Sequence, residues 1–174
     1  MTPWLFETER LAVRPKTAAD AESFHAVYGD DDVMRFSGGG FTTLERTRDF
    51  VASHMRHQEV HGFSMWALVD RSTRTLLGDV GFLAYQDGVE IGWHLRRSAW
   101  GRGYATEAAS ACLAYGFDQL KFARVSAFTE SANAASIRVI DKLGMRYVRR
   151  GADGVPAWVE YVITPAPPNQ ASKT

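Results

Sequence analysis

The chain has 174 residues, 45% of them apolar and 23% charged, and its 20 basic and 20 acidic side chains cancel. That length suffices for one domain with its own core, and the balanced charge provides no field to draw in nucleic acid or an anionic membrane. One cysteine, Cys112, excludes an internal disulfide and a cysteine-rich zinc site, and no apolar run reaches the 18 residues of a membrane span.

In chain order, ETERLAVRPKT reads as a strand ending at Pro15, with Leu11 and Val13 alternating against Arg10 and Arg14. Thr17 offers an N-cap for a short helix over 20–28. An acidic and then glycine-rich connection, GDDDVMRFSGGG, leads to a second helix from Thr42 or Thr43 to about His61. Three strands follow as an antiparallel meander: FSMWALVD, TLLGDVGFLAY and, after the turn at 86–88, VEIGWHL. A helix from about Tyr104 to Gln119, a strand over 123–130 and a helix over 133–143 stopped by Gly144 come next. MRYVRRG and PAWVEYVIT are the last strands, and residues 166–174 read as a disordered tail after a single domain over 1–165. The order β-α-α-β-β-β-α-β-α-β-β predicts a mixed α/β fold with a mainly antiparallel sheet and helices on its faces. Cys112 sits among Ala108, Ala109, Leu113 and Gly116 at helical spacing, as a small core residue would.

The chemistry concentrates in GRGYAT, residues 101–106, at the entrance of the 104–119 helix. The first four N–H groups of a helix lack an intrahelical partner, and the helix dipole adds partial positive charge there. Glycine removes the Cβ atoms that would block close approach, and Arg102 adds a cation, so the segment can cradle a phosphate. A tight strand-to-helix turn without a ligand would use the same glycines. The Walker A pattern is absent. The dinucleotide pattern G-x-G-x-x-G nearly fits, but Thr106 stands at its last glycine, and RRSAW separates the loop from a strand of the meander, which counts against a nicotinamide cofactor.

W-G-R-G-Y-A, Trp100 to Ala105, resembles the Q/R-x-x-G-x-G/A pyrophosphate loop of the GCN5-related N-acetyltransferases (GNAT), with Trp100 in place of the leading Gln or Arg. N-A-A-S-I-R-V-I-D-K-L-G-M, Asn133 to Met145, is similar to their second signature. T-E-R-L-A-V-R-P, from Thr8, and E-I-G-W-H-L, from Glu90, resemble the branch of ribosomal-protein N-terminal acetyltransferases, and the likeness runs from about Thr8 to Thr164. The resemblance implies the GNAT fold, acetyl-CoA as cofactor with CoA as product, and an amine acceptor, either a protein N-terminus or a small molecule. It places the pyrophosphate on Gly101, Arg102, Gly103, Tyr104, Ala105 and Thr106. It sets the pantetheine arm against the backbone of Trp93, His94 and Leu95, one N–H of which acts as an oxyanion hole. It also places Asn133 at the pantetheine. The expected compartment is the cytoplasm, no metal is implied, and the last strands are where such folds often form a homodimer. An acyl-CoA sensor without turnover is the alternative reading.

Direct acetyl transfer requires an ammonium to be deprotonated, an oxyanion stabilised and a thiolate protonated. Glu90, on the strand expected to line the slot, is the candidate base, directly or through a water; a solvent-facing carboxylate would look the same in sequence. Many relatives carry a tyrosine acid at the position of Ile140, which cannot donate a proton. Ser136, one turn earlier on the same helix face, resembles the hydroxyl of the ribosomal-protein branch and is the candidate acid, or simply a helix-start serine. His54, His57 and His61 read as a solvated helix face. Asp30, Asp31 and Asp32 read as a solvated cluster that could also receive a cationic amine, and Arg96 and Arg97 as reaching CoA phosphates or water.

Overall fold

The computed structural model describes residues 3–86, 88–151 and 157–165. The expected tail over 166–174, the middle of the 86–88 turn and the start of the last expected strand at Pro156 lie outside the described residues. Strands β1 (Phe6–Glu7) and β2 (Leu11–Arg14) form a hairpin, so the single strand expected at the start is two. The helices α1 (Ala21–Tyr28), α2 (Asp31–Met34) and α3 (Leu44–His61) follow; α2, inside the acidic connection, is absent from the sequence reading. The side chain of Asp30 explains it, accepting from the N–H groups of Asp32 and Val33 and so nucleating a turn. Thr43 caps α3 in the same way, through the Arg46 N–H.

The meander is β3 (Met65–Asp70), β4 (Leu76–Tyr85) and β5 (Gly88–Leu95), and β5 is joined through a 3-10 turn to α4 (Tyr104–Asp118). Then come β6 (Val125–Glu130), α5 (Ala134–Lys142), β7 (Arg146–Arg150) and β8 (Trp158–Ile163). Among the described residues these strands make one eight-stranded sheet in the order β1-β2-β3-β4-β5-β6-β8-β7. Every neighbouring pair is antiparallel except β5 and β6, which run parallel and register only at Glu90 against Ser126.

Two apolar clusters hold the layers together. One packs α4 and α5 on one face of the sheet through residues such as Trp66, Leu68, Phe82, Ile91, Cys112 and Ile140. The other packs α1 to α3 on the opposite face through Phe24, Tyr28, Met34, Val51 and Ala67. With both faces covered, all six residues of β3 are buried instead of alternating between core and solvent. Cys112 is fully buried in the first cluster, and burial pushes its thiol well above the ordinary range, as suits a packing residue.

Candidate active site

Past the Glu90–Ser126 pair, β5 and β6 share no further ladder, and a cleft of about 240 Å3 opens with residues of both strands in its walls. Alternation along β5 sends Ile91, Trp93 and Leu95 toward the α4 side, where they join the first cluster. It sends Glu90, Gly92 and His94 to the other side, beneath the α1–α3 layer. Glu90, Trp93, His94, Asn133 and Ser136, scattered over 47 positions of sequence, all line this one cleft.

The backbone of β5 divides the same way. Arg96 N–H donates to Leu77 O at 2.8 Å, and His94 N–H donates to Asp79 Oδ1 at 3.1 Å, so both face β4. The alternation of a strand's hydrogen-bonding edges therefore turns the N–H groups of Trp93 and Leu95 into the gap beside β6. Of the three positions expected to pair with an extended ligand, His94 presents its side chain to the cleft and its amide to β4.

The glycine loop meets the requirements of a cradle. Gly101 and Gly103 have φ of 70° and 78°, a backbone that side-chain-bearing residues rarely adopt. Gly103 is the N-cap of α4 and no side chain caps that end, which leaves the first-turn N–H groups of Tyr104, Ala105 and Thr106 without a partner among the described residues. The loop is braced from the N-terminal hairpin. Arg10 donates to Glu107 in the first turn of α4 at 2.7 Å and to the carbonyl of Arg102 at 3.0 Å, and it stacks on the Tyr104 ring. Thr8 Oγ1 donates to Glu107 at 2.5 Å. The Arg102 guanidinium also lies over the Tyr104 ring, 5.0 Å from its centroid, and the Tyr104 side chain is buried with its hydroxyl 3.3 Å from Asp70.

Across the cleft, Asn133 caps α5 by accepting from Ser136 N–H at 3.1 Å. The helix-end requirement is thus met by Asn133, and the Ser136 hydroxyl bonds to no other described residue. Glu90 is half-buried, and burial raises its carboxyl above the ordinary range. The acidic cluster is committed elsewhere: Asp30 and Asp32 pair with Arg97 at 2.7 and 2.9 Å, and Asp31 accepts from Gly40 N–H. This fixes the α1–α3 layer to the turn after β5 and occupies Arg97, which the sequence left between phosphate and water.

Beneath the cleft lies a charged network that sequence reading missed. Asp79 of β4 is fully buried, with Oδ2 accepting from Lys16 Nζ at 2.7 Å and from the Tyr28 hydroxyl. Its Oδ1 accepts from the amide and from Nδ1 of His94, the latter at 2.9 Å. Lys16 spends its other two N–H bonds on the Tyr28 oxygen at 2.5 Å and His54 Nδ1 at 2.7 Å. Burial would raise the Asp79 carboxyl, but Lys16 and His94 overcome it and hold the group well below the carboxylate range. Burial, followed by the charge of Lys16, lowers His54 to about 3, so it is a neutral acceptor in the core and not part of a solvated face. His57 is likewise engaged, between Phe63 O and the Ala84 N–H. One signal was present in the sequence: an aspartate in the middle of the apolar run TLLGDVGFLAY, where a buried charge requires a partner.

The comparisons with known proteins decide the family. Residues 10–146 match the model of the acetyltransferase (GNAT) domain. The chain belongs to the GNAT acetyltransferases. It is 37% identical over 145 residues to YkkB, an uncharacterized protein of Bacillus subtilis, covering 80% of this chain and 84% of that one. A GNAT-family acetyltransferase of Bacillus anthracis superposes with a TM-score of 0.82 at 32% identity, over 91% of this chain and 96% of the other. RimL, a ribosomal L7/L12 α-N-protein acetyltransferase solved with coenzyme A, shares the fold at a TM-score of 0.83 and 16% identity, over 93% and 98% of the two chains. The family match counts against the nicotinamide alternative; the local topology alone does not, because β5, α4 and β6 form a parallel crossover even though β5 also pairs antiparallel with β4.

Removing one partner of a buried ion pair leaves an uncompensated charge. We predict that Lys16→Met lowers unfolding free energy by about 3–5 kcal/mol at pH 7, read by urea denaturation. Because the folded carboxyl is depressed, the stability that Asp79 contributes in the intact protein is full above about pH 4 and is lost as pH falls further.

Proposed function

We propose that this GNAT acetyltransferase moves the acetyl group of acetyl-CoA directly onto a primary amine while both are bound. The observation that carries the reading is the continuity of β5 and its loop: slot-facing N–H groups at Trp93 and Leu95 run into the uncapped, glycine-led N-terminus of α4. A Cβ added at Gly101 would meet nothing within 4 Å, and one at Gly103 only Arg10 Nη2 at 3.6 Å, so the loop faces open space that a pyrophosphate would fill. The fold shared with RimL, solved with coenzyme A, supports the same ligand.

Acetyl-CoA supplies an activated thioester carbonyl. The loop N–H groups of residues 101–106, with Arg102, hold the pyrophosphate, and Asn133 borders the pantetheine arm. The Trp93 N–H polarises the carbonyl as an oxyanion donor. Glu90 attracts the incoming ammonium and takes a proton from it through water, and Ser136 protonates the departing sulfur. An α-amine, with a reference pKa of about 7.7–8.0, asks less of such a base than a lysine amine at about 10.4. The small cleft, with Phe36 and Phe50 in its wall, suits a protein N-terminus or a small amine with an apolar arm. Among the described residues no helix is long and apolar enough to cross a membrane, and a cytoplasmic enzyme would meet both substrates. β7 forms an open sheet edge, where a second copy would pair in a homodimer.

Calorimetric titration tests the cofactor. Acetyl-CoA should saturate near one per chain, and Gly103→Val, which forces a β-branched side chain onto positive φ and into the cradle, should weaken binding by about tenfold or more. Glu90→Gln should lower turnover by about 10²-fold at pH 7. Since burial raises the Glu90 carboxyl, wild-type turnover should fall as pH drops through that raised value, and the gap between variant and wild type should shrink as rising pH deprotonates the amine unaided. Ser136→Ala should cost about tenfold in kcat with an unchanged acetyl-CoA Kd; full kcat would remove Ser136 from the mechanism.

A further inference from the structure

The network beneath the cleft orients one side chain that faces it, the ring of His94. All four acceptor positions of Asp79 are filled, by Lys16, Tyr28, and the amide and ring of His94. Asp79 is anionic and has no proton to give, so the hydrogen in the 2.9 Å contact belongs to His94 Nδ1. In the neutral ring the lone pair is then on Nε2, at the cleft end, where the Ser37 hydroxyl lies at 3.1 Å, within reach to donate to it. Ser37 is an exposed residue of the α2–α3 connection, and an N–H of a bound amine can take its place. The ring itself is held edge-on against Tyr28, with centroids 5.9 Å apart, and its side chain is 19% exposed, enough to reach a ligand in the cleft.

We infer that His94 is a catalytic proton acceptor for the amine, with Asp79 as its positioning residue. The inference rests on the acetyl transfer proposed above. An ammonium nitrogen gives up two protons on becoming an amide: one before attack, and one as the C–N bond to the acetyl carbon forms. In the same reaction the C–S bond breaks with its electron pair on sulfur, which takes up one proton, so one is released overall. Glu90 and His94 share a face of β5 but stand about 13 Å of strand apart. Glu90 lies where β5 and β6 still pair; His94 lies between Trp93 and Leu95, whose N–H groups face the gap. His94 Nε2 therefore takes the proton lost during attack, and Glu90 serves the one lost beforehand through water. The charged and titratable groups around the ring are Asp79 from β4, Lys16 after β2, Tyr28 from α1 and His54 from α3, while Glu90 on its own strand borders the same cleft farther off.

Two measurements test this. Two-bond 1H–15N correlation spectra of the wild-type protein without any ligand, with His94→Gln to assign the ring, should show His94 as the Nδ1–H tautomer. Kinetics with acetyl-CoA and phenethylamine, spermidine and a seryl tripeptide as probe amines should show His94→Gln lowering kcat by about 10²–10⁴-fold while its acetyl-CoA Kd stays within about threefold. Asp79→Asn, where it folds, should lose the single tautomer and lower kcat while leaving that Kd alone. An Nε2–H tautomer in the wild type, or a His94→Gln kcat within about threefold of it, overturns the role of His94 and leaves acetyl transfer standing. A wild-type protein that binds acetyl-CoA but acetylates none of the three amines sinks the transferase reading and this inference with it.

Discussion

The carboxylate of Asp79 is the constraint on which the packing of the α1–α3 layer over the cleft depends. It is a charge with no access to water, and such a charge persists only when opposite charge and hydrogen bonds replace its hydration. Lys16, Tyr28 and His94 do this, and Lys16 in turn brings in His54. Five segments must therefore converge on one point: the end of β2, α1, α3, β4 and β5. An ion pair in a dry interior contributes little net stability against an apolar alternative. Its effect here is geometric, since it admits a single way of seating the α1–α3 layer on the sheet.

The site arises where that layer meets an interruption in the sheet. Continuous pairing would consume the N–H groups on both edges of β5, as it does along β4. By registering with β6 at a single pair, β5 keeps one edge free and opens a cleft without exposing the core, because α4 covers one face and α1–α3 the other. The glycine loop continues the same logic. Its unpaired N–H groups sit at the mouth of a helix, and the Arg10–Glu107–Thr8 brace holds the first turn of that helix against the N-terminal hairpin. In the acetyl transfer proposed here, the binding groups are thus backbone, fixed by secondary structure, and the side chains of Glu90, His94 and Ser136 are left for proton chemistry.

Most of the element order was legible from apolar period and caps. Thr43, Asn133 and the glycine loop mark helix starts in sequence as they do in space. The turn between β1 and β2 is not legible because Thr8-Glu9-Arg10 contains no glycine, proline, asparagine or aspartate to mark it. The helix α2 escaped because its start depends on an aspartate side chain in a run that otherwise reads as acidic coil. His54, with helical spacing to His57, could not be told from a surface residue, because the ammonium that buries it comes from Lys16, 38 positions away.

The family, the fold class and the glycine loop at the start of α4 are written in local order: a period, a spacing, a glycine where φ must be positive. Tertiary structure decided which side chains share the cleft and what state they are in. Strand alternation places Glu90 and His94 on one face, but only the packing of β2, α1 and α3 over β4 brings Lys16, Tyr28 and Asp79 together beneath the ring. Hydrogen bonds and low dielectric act through space, so the contact of the His94 ring with Asp79 and the raised Glu90 carboxyl are properties of the fold that no stretch of chain carries alone.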